Sequence, residues 1–271
     1  VTRRALVALL TGVFVLGCIY AYRLERTEFC RQAAAGISDL SVSTRNGSIT
    51  VSAGPDSVVS ASVVKRAYGR DSSDAAQALA NVVVTDEVQA GRYVLQAEMP
   101  GGNRNYGASF QVAAPESVEL ALTTTNGNVA VSGMLAGVAV STTNGSIGLT
   151  GTAGQANLST TNDDVSVAVH HGRVSINTTN GAVDCDVAGL AATESITITT
   201  TNGRVTLLLP SDVSATVEVG TTNSLITFHD LNPVFQEQTK DHVRATIGSG
   251  ASVITITTTN GDVRIGCRSA R

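Results

Sequence analysis

The stretch that decides the fold reads Val138-Ala-Val-Ser-Thr-Thr-Asn-Gly-Ser-Ile-Gly-Leu149, and eighteen residues on it returns as Ala156-Asn-Leu-Ser-Thr-Thr-Asn-Asp-Asp-Val-Ser-Val167. With the asparagine as position zero, both copies are apolar at −6, −4, +3 and +5 and mostly polar between. Alternation with period two on either side of a fixed corner predicts two half-buried strands. The parity changes at the corner, from even offsets to odd, as a chain turning around a core requires.

Working outward, the motif recurs with its asparagines at Asn46, Asn126, Asn144, Asn162, Asn180, Asn202, Asn223 and Asn260. From Asn126 the spacings are 18, 18, 18, 22, 21 and 37, the last reading as two periods with one signature lost. All eight frames are apolar at the four core offsets, from Leu40, Val42, Ile49 and Val51 to Ile254, Ile256, Val263 and Ile265. Parity also points the threonine at −2 and the asparagine inward. Stacked amides would then bond coil to coil as an asparagine ladder. Gly follows the asparagine in six frames, replaced by Asp163 and Ser224 in the others, and reads as a source of positive φ. A single coil buries too little to offset the entropy of ordering it, so the stack is the unit of stability. The expectation is an all-β, right-handed parallel β-solenoid (β-helix) with about 18–22 residues per coil, carrying one short helix and an N-terminal apolar anchor helix.

Regular coils are expected over residues 119–267, followed by a tail at 268–271. Residues 38–118 read as irregular N-terminal coils capping the solenoid, with strands such as Arg92–Met99 and one helix near Asp71–Ala80. Leu231–His242 reads as a loop or short helix. At the N-terminus, Arg3 and Arg4 precede an apolar run from Ala5 to Tyr22, the form of a signal peptide, lipoprotein signal or membrane anchor over 1–22. Val15-Leu-Gly-Cys18 resembles a bacterial lipobox, with Cys18 as the lipidated residue; an uncleaved signal anchor is the alternative. Residues 23–37 would form a short linker. Either reading exports residues 23–271 and makes the membrane the first partner. Cys30, Cys185 and Cys267 remain, an odd number that completes no disulfide framework.

Composition narrows the function. Val, Ile and Thr supply the β-propensity while aromatics make up only 4% and charged residues 15%. Net charge is −4 with no basic block, which excludes a nucleic-acid footprint. No motif for a nucleotide, a metal or a cofactor is present. The densest chemistry is Asp163, Asp164, Asp184 and Asp186, with His170, His171 and Arg204 nearby. Those carboxylates fit a solvated face first, a weak divalent-cation site second and a polysaccharide-acting site last. The outward positions −3 and −1 form a nearly uncharged hydroxyl lattice: Thr123, Thr125, Ser141, Thr143, Ser159, Thr161, Thr179, Thr199, Thr201, Thr257 and Thr259, with Asn177 among them. That lattice is the candidate binding face for a glycan or an envelope protein.

The chain resembles the bacterial DUF4097 family, whose members carry an adhesin label. The resemblance rests on Gly17-Cys18, on Gly47-Ser-Ile-Thr-Val51, on the run of Thr-Thr-Asn-Gly coils, and on Ile247-Gly-Ser-Gly250 followed by Thr259-Asn-Gly-Asp-Val263. It covers residues 38–267. It implies a β-solenoid at the bacterial cell envelope, periplasmic or on the surface, without cofactor or catalytic residues. It leaves two roles open: a non-enzymatic, adhesin-like binding or scaffold module, and an envelope-stress component contacting a membrane partner.

Overall fold

The computed structural model describes residues 5–7, 22–101 and 105–268, and the chain divides into two compact units, residues 1–129 and 130–271. The expected anchor segment, Cys18 included, lies outside the described residues except for Ala5–Val7. These form strand β1 rather than helix and pair antiparallel with β2 (Tyr22–Ala33). Residues 23–33, expected as part of a linker, therefore lie in a twelve-residue strand that begins at Tyr22. Among the described residues no helix is long and apolar enough to cross a membrane.

In the first unit, β3 (Asp39–Asn46) and β4 (Ile49–Ala53) make the first coil. The chain then leaves coil geometry through β5 (Val58–Gly69), helix α1 (Ser72–Ala80) and β6 (Val83–Gln89). It returns as β7 (Arg92–Glu98), β8 (Tyr106–Ala114) and β9 (Glu119–Asn126). β3 pairs in parallel with both β7 and β9, Leu40 lying opposite Tyr93 and Leu120. β4 pairs in parallel with β8, Ile49 opposite Phe110. The coil first in sequence thus lies between two later ones. Beyond them β5 and β2 extend one sheet, and β6 the other, by antiparallel pairing. Within residues 38–118, expected as irregular coils, β3–β4 and β7–β8 are two stacked coils, and β5 and β6 are antiparallel borders. Asp71 caps α1, its carboxylate accepting from the Asp74 N–H at 2.9 Å, and the helix buries Ala75, Ala78 and Leu79.

β10 (Val129–Ser132) leads into the second unit. There β11 (Val138–Ser141), β12 (Ile147–Thr150), β13 (Ala156–Ser159), β14 (Val165–His171), β15 (Val174–Asn177), β16 (Val183–Gly189), β17 (Ser195–Thr199) and β18 (Val205–Leu209) alternate between two parallel sheets. Register holds through the longer repeat, Val174 facing Ile196 and Val183 facing Val205. The additional residues go into the connection between β16 and β17.

The end of the chain departs from sequence order. β19 (Ala215–Gly220) and β20 (Ile226–His229) are followed by β21 (Val234–Gln238) and β22 (His242–Ile247), then by β23 (Ser252–Thr257) and β24 (Val263–Cys267). β23 pairs in parallel with β17 on one side and β19 on the other, and β24 likewise with β18 and β20. The last coil inserts between two earlier ones. The 37-residue spacing hides no lost coil: its excess is the antiparallel pair β21–β22, which borders β19. Residues 231–242, expected as loop or helix, supply β21.

The core lies between the sheets of each unit. Of the thirty-two positions at −6, −4, +3 and +5, all are buried except Ile226 and Phe228 of β20. The corner glycines correct the reading of their role. Gly47, Gly127, Gly181, Gly203 and Gly261 do not have positive φ. A Cβ on any of them would stand 1.8–2.1 Å from a carbonyl oxygen of the neighbouring coil. Close backbone approach is what demands glycine here. Positive φ appears instead at other bends, as at Gly154 (+83°) and Gly172 (+124°).

Candidate functional site

Each corner is built from a threonine at −2, the asparagine and the residue after it. All eight threonines are buried: Thr44, Thr124, Thr142, Thr160, Thr178, Thr200, Thr221 and Thr258. Most donate to the carbonyl of the corner residue one coil away: Thr124 to Gly47 at 3.0 Å, Thr160 to Gly145 at 3.0 Å, Thr200 to Gly181 at 3.3 Å. Such a bond offsets the burial of the hydroxyl, which left unpaired would cost about 1–3 kcal/mol.

The asparagines are not inward. Asn46 is half-buried and the other seven are exposed. Positions −1 and 0 both face outward, so the parity break falls between them, one residue earlier than the pattern implied. Their amides nonetheless bond coil to coil. In the second unit Nδ2 of Asn162 donates to Asn144 Oδ1 at 2.7 Å, Asn180 to Asn162 and Asn202 to Asn180 at 2.9 Å. Asn260 then donates to Asn202, and Asn223 to Asn260, both at 2.8 Å. The row follows spatial rather than sequence order. In the first unit Asn126 donates to Asn46 at 2.7 Å and Asn46 to the Tyr106 carbonyl at 3.2 Å.

Beside this row stands the hydroxyl lattice. In the second unit the −3 residues are locked opposite one another as Ser141, Ser159, Asn177, Thr199 and Thr257. The −1 residues Thr143, Thr161, Thr179, Thr201 and Thr259 join through their carbonyls to the next asparagine N–H, as from Asn180 to Thr161 at 2.9 Å. All are exposed except half-buried Thr259. On the first unit Thr123 lies opposite Ser43, and Thr125 is exposed beside it. Neighbouring coils repeat at about 4.8 Å, so the lattice presents hydroxyls at a fixed pitch.

The candidate carboxylates lie on or just before strands of the other sheet and are dispersed. Within the second unit, the strands of the hydroxyl sheet carry charge only toward the β19–β22–β21 end, where His242 lies 3.6 Å from Glu218 and 3.4 Å from Glu237. Asp184 pairs with Arg204 at 3.6 Å and Asp186 with Arg268 at 2.8 Å. Asp164 accepts the Ala182 N–H at 2.8 Å, and Asp163 accepts the Asp164 N–H at 2.9 Å. Among the described residues no group of three or more His, Cys, Asp or Glu is placed to hold a metal ion. His170 and His171 point apart. His171 is exposed, but His170 is 1% exposed. Its Nδ1 lies 2.9 Å from Thr152 Oγ1 and its Nε2 3.2 Å from the Gly154 carbonyl. Burial holds its pKa below the usual histidine value. Cys185 is buried, its thiol pushed up to about 12 by desolvation and then by Asp186, which keeps it an unreactive core residue. Cys30, Cys185 and Cys267 form no disulfide with one another.

Parallel strands in register, stacked amides at one corner and an uncharged hydroxyl face define a β-solenoid-like repeat module. The chain belongs to the family described as Toastrack DUF4097, whose model matches residues 31–266. No curated protein matches it. A crystal structure named "putative cell adhesion protein", from Clostridium sporogenes ATCC 15579, is 14% identical, covering 90% of this chain and 100% of that one at a TM-score of 0.39. A "putative adhesin" from Parabacteroides distasonis ATCC 8503 is 9% identical over 88% and 96% of the two chains, also at 0.39.

Sequence reasoning missed the threonine-to-carbonyl bonds, although the inward parity of −2 was in view. It also missed the outer face of β2, because only Leu24 and Cys30 are apolar at the inward positions of that segment and the strand period is faint.

Proposed function

We propose that the chain is a non-enzymatic, adhesin-like binding module of the bacterial cell envelope. Residues 1–22 hold it to a membrane, by a lipid on Cys18 or as an uncleaved anchor, and residues 23–271 lie outside the cytoplasm. The observation that carries this reading is the register-locked row from Ser141 to Thr257, exposed and uncharged along its length. A regular array of hydroxyls matches the repeated hydroxyls of a glycan strand, where each contact is weak and the lattice supplies the sum.

The test is sedimentation of the protein with purified cell-wall polysaccharide, beside the double variant Ser159→Lys with Thr199→Lys. Binding by the parent and at least a tenfold loss in the variant is expected. Equal binding by both would remove the row from the reading, and no binding by the parent would overturn it.

One observation favours a second reading, an envelope-stress component that contacts a membrane partner. β2 begins at Tyr22, directly after the apolar run, so the sheet it joins would lie close to the membrane that holds residues 1–22. Crosslinking in intact cells tests it: one reproducible membrane-protein adduct supports the regulatory role, and protease digestion of residues 23–271 on unbroken cells opposes it.

A further inference from the structure

The outer face of β2, β5, β8 and β4, wholly within the first unit, carries a second surface. Pairing sets two rows of outward side chains across these strands. Phe29, Ser62, Gln111 and Thr50 form one; Arg31, Ser60, Ala113 and Ser52 form the other. The middle of both rows is small, and the rows line an open trough of about 510 Å³. Phe29 is 42% exposed and, among the described residues, meets no other ring; Phe235, similarly exposed, packs edge-on against Phe228 at 5.6 Å. Arg31, two residues along the same strand, makes no ion pair with any described residue, and neither row contains an acidic side chain. An exposed ring beside an unpaired guanidinium is the least solvated-surface-like pair on this face.

We propose that this trough binds a short acidic saccharide. A sugar ring lays its apolar C–H face on Phe29. Its carboxylate meets Arg31 in the bidentate geometry that a planar guanidinium supplies. Gln111, Ser60, Ser62 and Thr50 bond the ring hydroxyls as donors and acceptors. Ring and guanidinium stand about 7 Å apart along the strand, the span of one hexuronate. The site deepens the reading of the chain as a glycan-binding module but does not use the hydroxyl row, so the two stand or fall on different variants.

The full chain, in a zwitterionic detergent that carries no sugar, is titrated with digalacturonate, a hyaluronan tetrasaccharide and 3′-sialyllactose, each beside a neutral counterpart. Binding of at least one acidic sugar is expected, at least tenfold tighter than its counterpart. Phe29→Ala weakens it about tenfold, Arg31→Gln abolishes the preference for acid, and Gln111→Glu abolishes binding through repulsion. All three positions are exposed, and an unchanged thermal melt shows that the variants fold; should Phe29→Ala fail to fold, the two polar variants decide. Ser159→Lys with Thr199→Lys leaves this binding intact. No binding to any acidic sugar, or binding that all three trough variants retain, overturns the proposal.

Discussion

The coils centred on Asn180 and Asn202 and the coil centred on Asn223 carry the same written pattern, yet they are not equivalent. In the first two, the eight core side chains are at most 2% exposed. In the third, Val217 and Val219 are buried, but Ile226 and Phe228 are only half-buried and Leu225 is 61% exposed. The reason is neighbours. β19 is flanked by β23 and β22, whereas β20 pairs with β24 alone. The same corner has Ser224 where the other two have Gly181 and Gly203, and its Thr221 hydroxyl finds no partner among the described residues. A repeat's stability therefore belongs to the contact between coils rather than to the coil, as expected for a one-dimensional stack.

Core truncation should break the comparison most widely. Ile198→Ala empties a site closed on both sides and is expected to cost about 4 kcal/mol, whereas Ile226→Ala is expected to cost about 1 kcal/mol. Chemical denaturation of the two variants measures the gap. Similar losses would mean that β20 is covered in solution.

The corner comes next. Gly203→Ala places a Cβ 1.8 Å from the Gly181 carbonyl oxygen, and two backbones must move apart to admit it. A loss of about 3 kcal/mol is expected. Ser224→Gly at the equivalent outer position should change stability by no more than about 0.5 kcal/mol. A thermal melt that ranks them otherwise would show that the inner corner yields more easily than its spacing indicates.

The amide row gives a smaller difference. Asn180 is both donor to Asn162 and acceptor from Asn202, while Asn223 only donates. These groups are exposed, so water replaces what is lost. Asn180→Ala is expected to cost about 1 kcal/mol and Asn223→Ala about half that. Denaturation midpoints at matched slopes read the difference, and equal shifts would deny any cooperation along the row.

The limits of the sequence follow the same division. Where coils stack in register, one residue's environment repeats in the next, and alternation around each asparagine reveals strands, corners and core together. Neighbour identity is not written that way. Nothing in residues 252–267 announces that β23 and β24 insert before rather than after β19 and β20, since parallel pairing uses backbone bonds that any of these strands supplies. The outer coil was legible as a strand at Arg92–Met99, but the antiparallel borders at Tyr22–Ala33 and Val234–Gln238 were not. Charged and polar residues there blur the period, as suits strands near an edge. On the face, the outward orientation of the hydroxyl lattice was readable from parity. The trough at Phe29 and Arg31 depends on which four strands lie side by side, and no local pattern carries that.

The smallest effect separates the inner coils from the outer one by pH. His170 is buried in the Asn162 coil between Thr152 and the Gly154 carbonyl, with His171 disfavouring and Glu194 favouring its protonation. Its folded pKa lies below its unfolded value near 6.5. Above that value neither state binds the proton and stability is unaffected. As pH falls below about 6.5 the unfolded chain takes up the proton first, so stability declines until pH passes the lower folded pKa, where the loss levels off. Thermal melts between pH 7.5 and 5 should therefore show a fall in Tm that His170→Gln makes shallower. Amide exchange at pH 5 should quicken around β14 before it quickens around β20. A slope unchanged by the substitution would remove His170 from the pH response and leave the inner coils insensitive.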